Sequence, residues 1–219
     1  MVTNRTIDTV MRILREAAPS WSAPVVSQMA SLSRDPYMVL IACLLSLRTK
    51  DETTGPAARR LFALADTPEK MLTLTPAQIE RAIYPVGFYK TKAQTVLDIS
   101  RVLVENYSGR VPDEIDELLV LKGVGRKTAN LVVTQGFQKL GICVDTHVHR
   151  ISNRWGYVST KTPEETEMAL RAKLPQRYWI EINDLLVAMG QTICHPTSPK
   201  CSLCPIERYC AKVGVVRSR

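Results

Sequence analysis

Leu119-Val120-Leu121-Lys122-Gly123-Val124-Gly125-Arg126-Lys127-Thr128-Ala129-Asn130 is the stretch where one helical pattern stops, turns through Gly-Val-Gly and starts again. Two glycines permit the positive φ of a tight turn and a close approach of backbone to a ligand. The second helix begins at once, with its first N–H groups unpaired and facing outward. Arg126 adds charge, so the turn reads as an anion pocket that would take a phosphodiester without reference to base sequence. Gly-x-Gly alone is also an ordinary helix connection, and the following residues shift the balance. Lys127 falls in the first helical turn, where the positive end of the helix dipole disfavours an ammonium and so favours the free amine that attacks carbon.

Outward from this turn the periodicity is helical along the whole chain, with no sustained period-two alternation between hairpin turns. The reading is all-α. Helices are expected at about 6–17, 36–47, 53–63, 67–72, 76–82, 90–105, 115–122, 126–137, 146–155, 163–174 and 181–190. Thr67-Pro68-Glu69, Thr75-Pro76 and Thr162-Pro163-Glu164-Glu165 each pair a capping hydroxyl with a proline in the first turn. Residues 29–139 read as one compact helical bundle, with 1–28 and 140–219 on either side of it.

The 219 residues contain 29 Lys and Arg against 21 Asp and Glu, a formal charge of +8 that favours a polyanionic partner, with nucleic acid ahead of anionic membrane. Arg5, Asp8 and Arg12 interrupt what a signal peptide would need as an apolar run. Apolar stretches such as Met38 to Leu47 are half of what a bilayer requires. A soluble, non-secreted protein is expected.

Such a protein keeps its thiols reduced, which argues against reading its six cysteines as a disulfide framework. Cys43 and Cys143 stand alone in apolar runs and read as small buried hydrophobes. Cys194, Cys201, Cys204 and Cys210 follow C-x6-C-x2-C-x5-C. Four thiolates can hold a structural zinc or a [4Fe–4S] cluster. A single C-x2-C with two longer loops favours the cluster over a zinc ribbon, which presents two short knuckles. Lys200 lies in the same loop, with Arg208 and Lys212 near it, and brings positive charge to phosphate.

Eighteen residues after Lys127, Cys143-Val144-Asp145-Thr146-His147-Val148-His149-Arg150 places Asp145 between an apolar run and a new helix. That is an N-cap position. If the chain returns after the helix at 126–137, Lys127 and Asp145 face one cleft, and an amine with a carboxylate suffices for Schiff-base chemistry on a sugar. His147 and His149 read as structural or DNA-facing residues rather than metal ligands.

Leu121 to Asn130, then Val144-Asp145-Thr146-His147-Val148 with Arg150, then the four-cysteine spacing, resemble the endonuclease III family of helix-hairpin-helix DNA glycosylases. Leu44-Leu45-Ser46, Thr49-Lys50-Asp51 and Val86-Gly87-Phe88-Tyr89-Lys90-Thr91-Lys92-Ala93 extend the resemblance to nearly the whole chain. It implies two lobes: a six-helix barrel carrying the hairpin at 29–139, and an iron–sulfur lobe formed by 1–28 and 140–219. It implies a [4Fe–4S] cluster on Cys194, Cys201, Cys204 and Cys210. By resemblance Lys127 is the nucleophile that attacks the sugar C1′ and forms an imine, and Asp145 assists attack and stabilises developing positive charge. DNA contacts are expected from Gly123, Val124, Gly125, Arg126, His147 and Lys200, with Arg48 and Phe88 at the positions of a wedge that fills the gap left by a flipped nucleotide. The family more often has glutamine at the position of Arg48 and proline at that of Lys122.

The implied activity is removal of oxidised pyrimidines from duplex DNA, then strand cleavage by β-elimination. The partner is duplex DNA with damaged pyrimidines or abasic sites, the protein a monomer without membrane contact, and the compartment a prokaryotic cytoplasm. A mismatch or adenine glycosylase of the same superfamily and a non-catalytic DNA-binding or redox-sensing protein are the alternatives. Lys127 speaks against the first, whose members tend to lack the nucleophilic lysine, and the second leaves Lys127 and Asp145 without a paired role.

Overall fold

The computed structural model describes residues 1–21, 26 and 35–219, and every regular element among them is helical. In chain order the α-helices are α1 Ile7–Ala17, α2 Pro36–Ser46, α3 Asp51–Leu64, α4 Pro68–Met71, α5 Pro76–Ile83 and α6 Tyr89–Tyr107. They continue with α7 Ile115–Leu119, α8 Arg126–Leu131, α9 Thr146–Arg154, α10 Pro163–Lys173 and α11 Glu181–Thr192. The chain divides into two compact units, Val25–Gly141 and Met1–Pro24 with Ile142–Arg219. The boundary expected between Gln28 and Met29 lies outside the described residues.

The unit Val25–Gly141 is organised around α2. Asp35 starts this helix by accepting the Met38 N–H at 3.0 Å, and Pro36 at its first position needs no partner for a missing donor. Tyr37 and every residue from Val39 to Leu45 are buried. A helix apolar on all sides must be surrounded, and α3, α6 and α8 pack on it. The Thr-Pro starts behave as the sequence requires. Thr67 accepts from Lys70 N–H at the head of α4, and Thr75 forms a reciprocal capping box with Gln78 at the head of α5.

Most expected boundaries shift by one or two residues, and three changes bear on the site or its surroundings. Helix α3 starts at Asp51, two residues before the expected Thr53, and α7 stops at Leu119 because the chain is already entering the hairpin. The helix expected over 126–137 is α-helical only to Leu131, then widens into a π-turn over Val132–Gly136. Within the widened turn the Thr134 hydroxyl donates to Asn130 O at 2.8 Å and Leu131 O at 3.3 Å.

In the other unit α1 buries Ile7, Val10, Met11 and Leu14, the i, i+3, i+4, i+7 stripe of an amphipathic helix. They join Ile151, Trp155, Ile182 and Leu186 from the C-terminal helices and Tyr157 in one core. Each such side chain contributes about 1.5–3 kcal/mol, so this burial holds the first helix among segments 140 residues away. Arg15 also grips Glu181 through two bonds of 2.7 Å, but this exposed pair adds at most about 1 kcal/mol.

Candidate functional site

The Gly-Val-Gly turn separates α7 from α8. Gly123 takes φ +82°, the left-handed conformation that favours glycine. Val124 points inward and is buried, and its N–H donates to Leu121 O at 3.0 Å. Gly125 departs from the expectation that both glycines supply positive φ. Its φ is −100°, open to any residue, and an added Cβ would meet nothing within 4 Å. The folded chain does not require glycine there, and the Gly125 backbone is exposed. Arg126 is half-buried and Lys127 exposed in the turn that follows. Lys127 lies close enough to buried Cys43 for its charge to pull that thiol downward, although burial dominates and pushes Cys43 up to about 12. Lys122 forms an exposed pair with Asp98 of α6 at 3.4 Å, so its extra charge is partly matched.

Asp145 belongs to the other unit and heads α9. Its Oδ1 accepts from His147 N–H at 2.8 Å and from Val148 N–H at 2.9 Å. Both cap bonds fall on one oxygen of a buried carboxylate, which fixes its orientation at the start of the helix. His147 Nδ1 lies 3.0 Å from the Arg150 guanidinium, and the ring packs on Gly190 of α11, where a Cβ would overlap it. His149 pairs with Thr166 at 2.7 Å.

Arg48 and Phe88, the two wedge candidates, meet in the unit Val25–Gly141. The Arg48 guanidinium sits over the Phe88 ring, 4.9 Å from its centroid. Both residues have left-handed backbone, φ +55° and +58°, and both are exposed.

Cys194, Cys201, Cys204 and Cys210 line one cavity, together with Lys200 and Arg154. Among the described residues no three side chains of His, Cys, Asp or Glu gather tightly enough to hold a single ion. Burial pushes the Cys204 thiol up to about 12, and the neighbouring Cys194, Cys210 and Cys201 push the same way. Four cysteines lining one cavity match the four thiolate ligands that a [4Fe–4S] cluster takes. The lone cysteines are both buried, as expected.

Residues 41–176 match the family described as HhH-GPD superfamily base excision DNA repair protein. The chain is 49% identical over 176 residues to Endonuclease III of Thermotoga maritima, covering 80% of this chain and 83% of that protein. This chain belongs to the endonuclease III family. It is also 42% identical over 177 residues to Endonuclease III-like protein 1 of Mus musculus, covering 80% of this chain and 59% of the mouse protein. In fold it resembles the protein in a structure of a non-covalent Endonuclease III–DNA complex, with a TM-score of 0.84, 31% identity and 97% of each chain covered. Endonuclease III enzymes are DNA glycosylases with AP lyase activity.

In this endonuclease III family chain Arg154 was not picked out from sequence, and Arg150, named as part of the family motif, was given no role. Arg154, buried at the end of α9, donates to the carbonyls of His195 and Pro196 at 2.6 Å each and to Cys194 Sγ at 3.3 Å. Arg150 donates to Cys194 O at 2.8 Å. With His147 they form an i, i+3, i+7 row along α9 facing the cysteine loop. The sequence carries only that spacing of nitrogen-bearing side chains beside the apolar stripe of Val148, Ile151 and Trp155, and the spacing alone does not show that they face the cysteine loop.

Proposed function

We propose that this protein is a bifunctional DNA glycosylase and AP lyase that removes oxidised pyrimidines from duplex DNA, with Lys127 as nucleophile. The observation that carries this reading is Lys127 itself: an exposed amine in the turn directly behind a hairpin whose Gly125 leaves its backbone open. The hairpin backbone and Arg126 hold a phosphodiester near the lesion. Arg48 and Phe88 fill the gap as the damaged nucleotide leaves the stack, at a cost of a few kcal/mol for unstacking.

Lys127 Nζ attacks C1′ and the glycosidic bond breaks, its electron pair leaving with the base, which takes up a proton. The attached amine loses a proton, the sugar ring opens and a protonated imine forms. Asp145, its carboxylate fixed by the two cap bonds, stabilises the positive charge that develops on the sugar. The imine acidifies the C2′ proton. Loss of that proton expels the 3′ phosphate by β-elimination, and water releases the lysine. Cys194, Cys201, Cys204 and Cys210 would hold a [4Fe–4S] cluster, which supplies folding stability to a loop that buries little of its own surface. Arg154 would set one of those thiolates, and Lys200 would present charge to the backbone of DNA. The reading places the enzyme with DNA in a prokaryotic cytoplasm, acting as a monomer.

Borohydride trapping tests the assignment. A duplex containing thymine glycol should give a covalent complex with the parent protein, and Lys127→Gln should give none and no strand cleavage. A Lys127→Gln protein that nicks abasic DNA at the parental rate would overturn the lyase assignment, and base release without trapping by the parent would favour a monofunctional glycosylase.

A further inference from the structure

Lys92 lies in the first turn of α6, half-buried, and its ammonium has three donors. The structure gives each one a partner: Leu45 O at 2.8 Å, Leu47 O at 2.6 Å and Thr49 Oγ1 at 3.2 Å. None is a carboxylate. A surface lysine seeks water or an acid, whereas this one is spent on the carbonyls at the end of α2 and the turn after it. Burial pulls its pKa down to about 8, so the position costs solvation that the three bonds offset.

Thr49 extends the arrangement. Its hydroxyl donates to Leu47 O at 3.3 Å while accepting from Lys92 and, at 3.1 Å, from Gly87 N–H. One ammonium and one hydroxyl thus lock residues 45–49 to residues 87–92. Gly87 permits the contact, because a Cβ there would come within 2.9 Å of Arg48 O. Arg48 and Phe88 sit at the centre of this clasp, both with left-handed backbone. Non-glycine residues hold that conformation only where their surroundings enforce it.

We propose that Lys92, acting with Thr49, is the positioning residue for the insertion pair: it clamps the turn after α2 to the loop before α6, so that Arg48 and Phe88 enter a duplex as one pre-formed wedge. The inference rests on the reading above that these two side chains fill the gap left by the flipped nucleotide. Lys92 touches no reacting atom in this scheme.

The test compares the parent with Lys92→Met, Lys92→Arg and Thr49→Val on two duplexes, one with thymine glycol opposite adenine and one with thymine glycol opposite an abasic position, where no estranged base needs support. Lys92→Met should slow base release from the first by about 10- to 100-fold, the scale of a misplaced positioning group, and the loss should shrink several-fold on the second. Binding to a duplex with 2-aminopurine opposite the lesion should give a weaker fluorescence rise than with the parent. Lys92→Arg should restore much of both signals, and Thr49→Val should show the same split in smaller measure. Equal losses on both duplexes, or a parental fluorescence rise in Lys92→Met, would overturn the proposal. If Lys92→Met does not fold, Thr49→Val decides, and the absence of a split there overturns it equally. A parent that forms no trapped complex on either duplex refutes the glycosylase–lyase reading instead, while the fluorescence comparison still reports on the clasp.

Discussion

Gly123 and Gly125 stand two residues apart in one turn and are glycine for different physical reasons. At Gly123 the φ of +82° penalises any side chain, so Gly123→Ala should destabilise the protein by roughly 1–2 kcal/mol. At Gly125 the backbone is extended and a Cβ meets open space. Gly125→Ala should therefore leave the melting curve within about 0.5 kcal/mol of the parent while weakening duplex binding by about 1–3 kcal/mol, the cost of forcing an extra methyl into a packed contact. Thermal melting and a DNA titration on the two variants separate the roles. A Gly125→Ala protein that binds duplex at parental strength would show that no phosphate approaches the hairpin backbone there.

At the scale of an element, Asp145 serves α9 and, in the proposed chemistry, the sugar, and two substitutions divide these duties. Asparagine keeps an oxygen for the His147 and Val148 N–H groups, whereas alanine does not. Asp145→Ala should lose about 1 kcal/mol of stability. Asp145→Asn should stay close to the parent in stability yet lose catalysis on the order of 10²–10⁴-fold, since the charge is gone. Comparable activity in Asp145→Asn and the parent would leave Asp145 as a cap alone. This capping duty was legible in the sequence, as were the starts at Thr67, Thr75 and Thr162, because a cap and its helix are neighbours in the chain. The π-turn after Leu131 was not, since the helical pattern expected over 126–137 runs through it without a break. Nor were Lys92 and Arg154: their partners are carbonyls, a hydroxyl and a sulfur 40 or more residues away, and only folding shows that a basic side chain faces them rather than solvent. The row of nitrogen-bearing side chains at 147, 150 and 154 was visible, but without the cysteine loop against it the row looks like a solvated helix face.

For the molecule as a whole, the surplus of +8 is what a distant polyanion meets. Many of the charges cancel locally in exposed pairs, among them Arg12 with Glu16, Lys70 with Asp66, Lys139 with Asp113 and Glu114, and Lys212 with Glu207. Such pairs add little to stability and, each taking one charge of either sign, leave the surplus unchanged; only the basic side chains that reach the duplex count as phosphate contacts. With about four contacts, the logarithm of the association constant falls with the logarithm of salt at a slope near −3.6, about 10²-fold between 50 and 200 mM. Arg126→Ala and Lys200→Ala should each flatten that slope by about 1 and weaken binding evenly across sequences. Lys122→Ala should change it less, because Asp98 already answers that charge. Fluorescence anisotropy on a lesion-containing duplex at four or five salt concentrations measures all three slopes. A slope near zero in the parent would mean that the basic surplus faces something other than DNA, and a Lys122→Ala effect as large as that of Arg126→Ala would mean that the Lys122–Asp98 pair opens when the duplex binds.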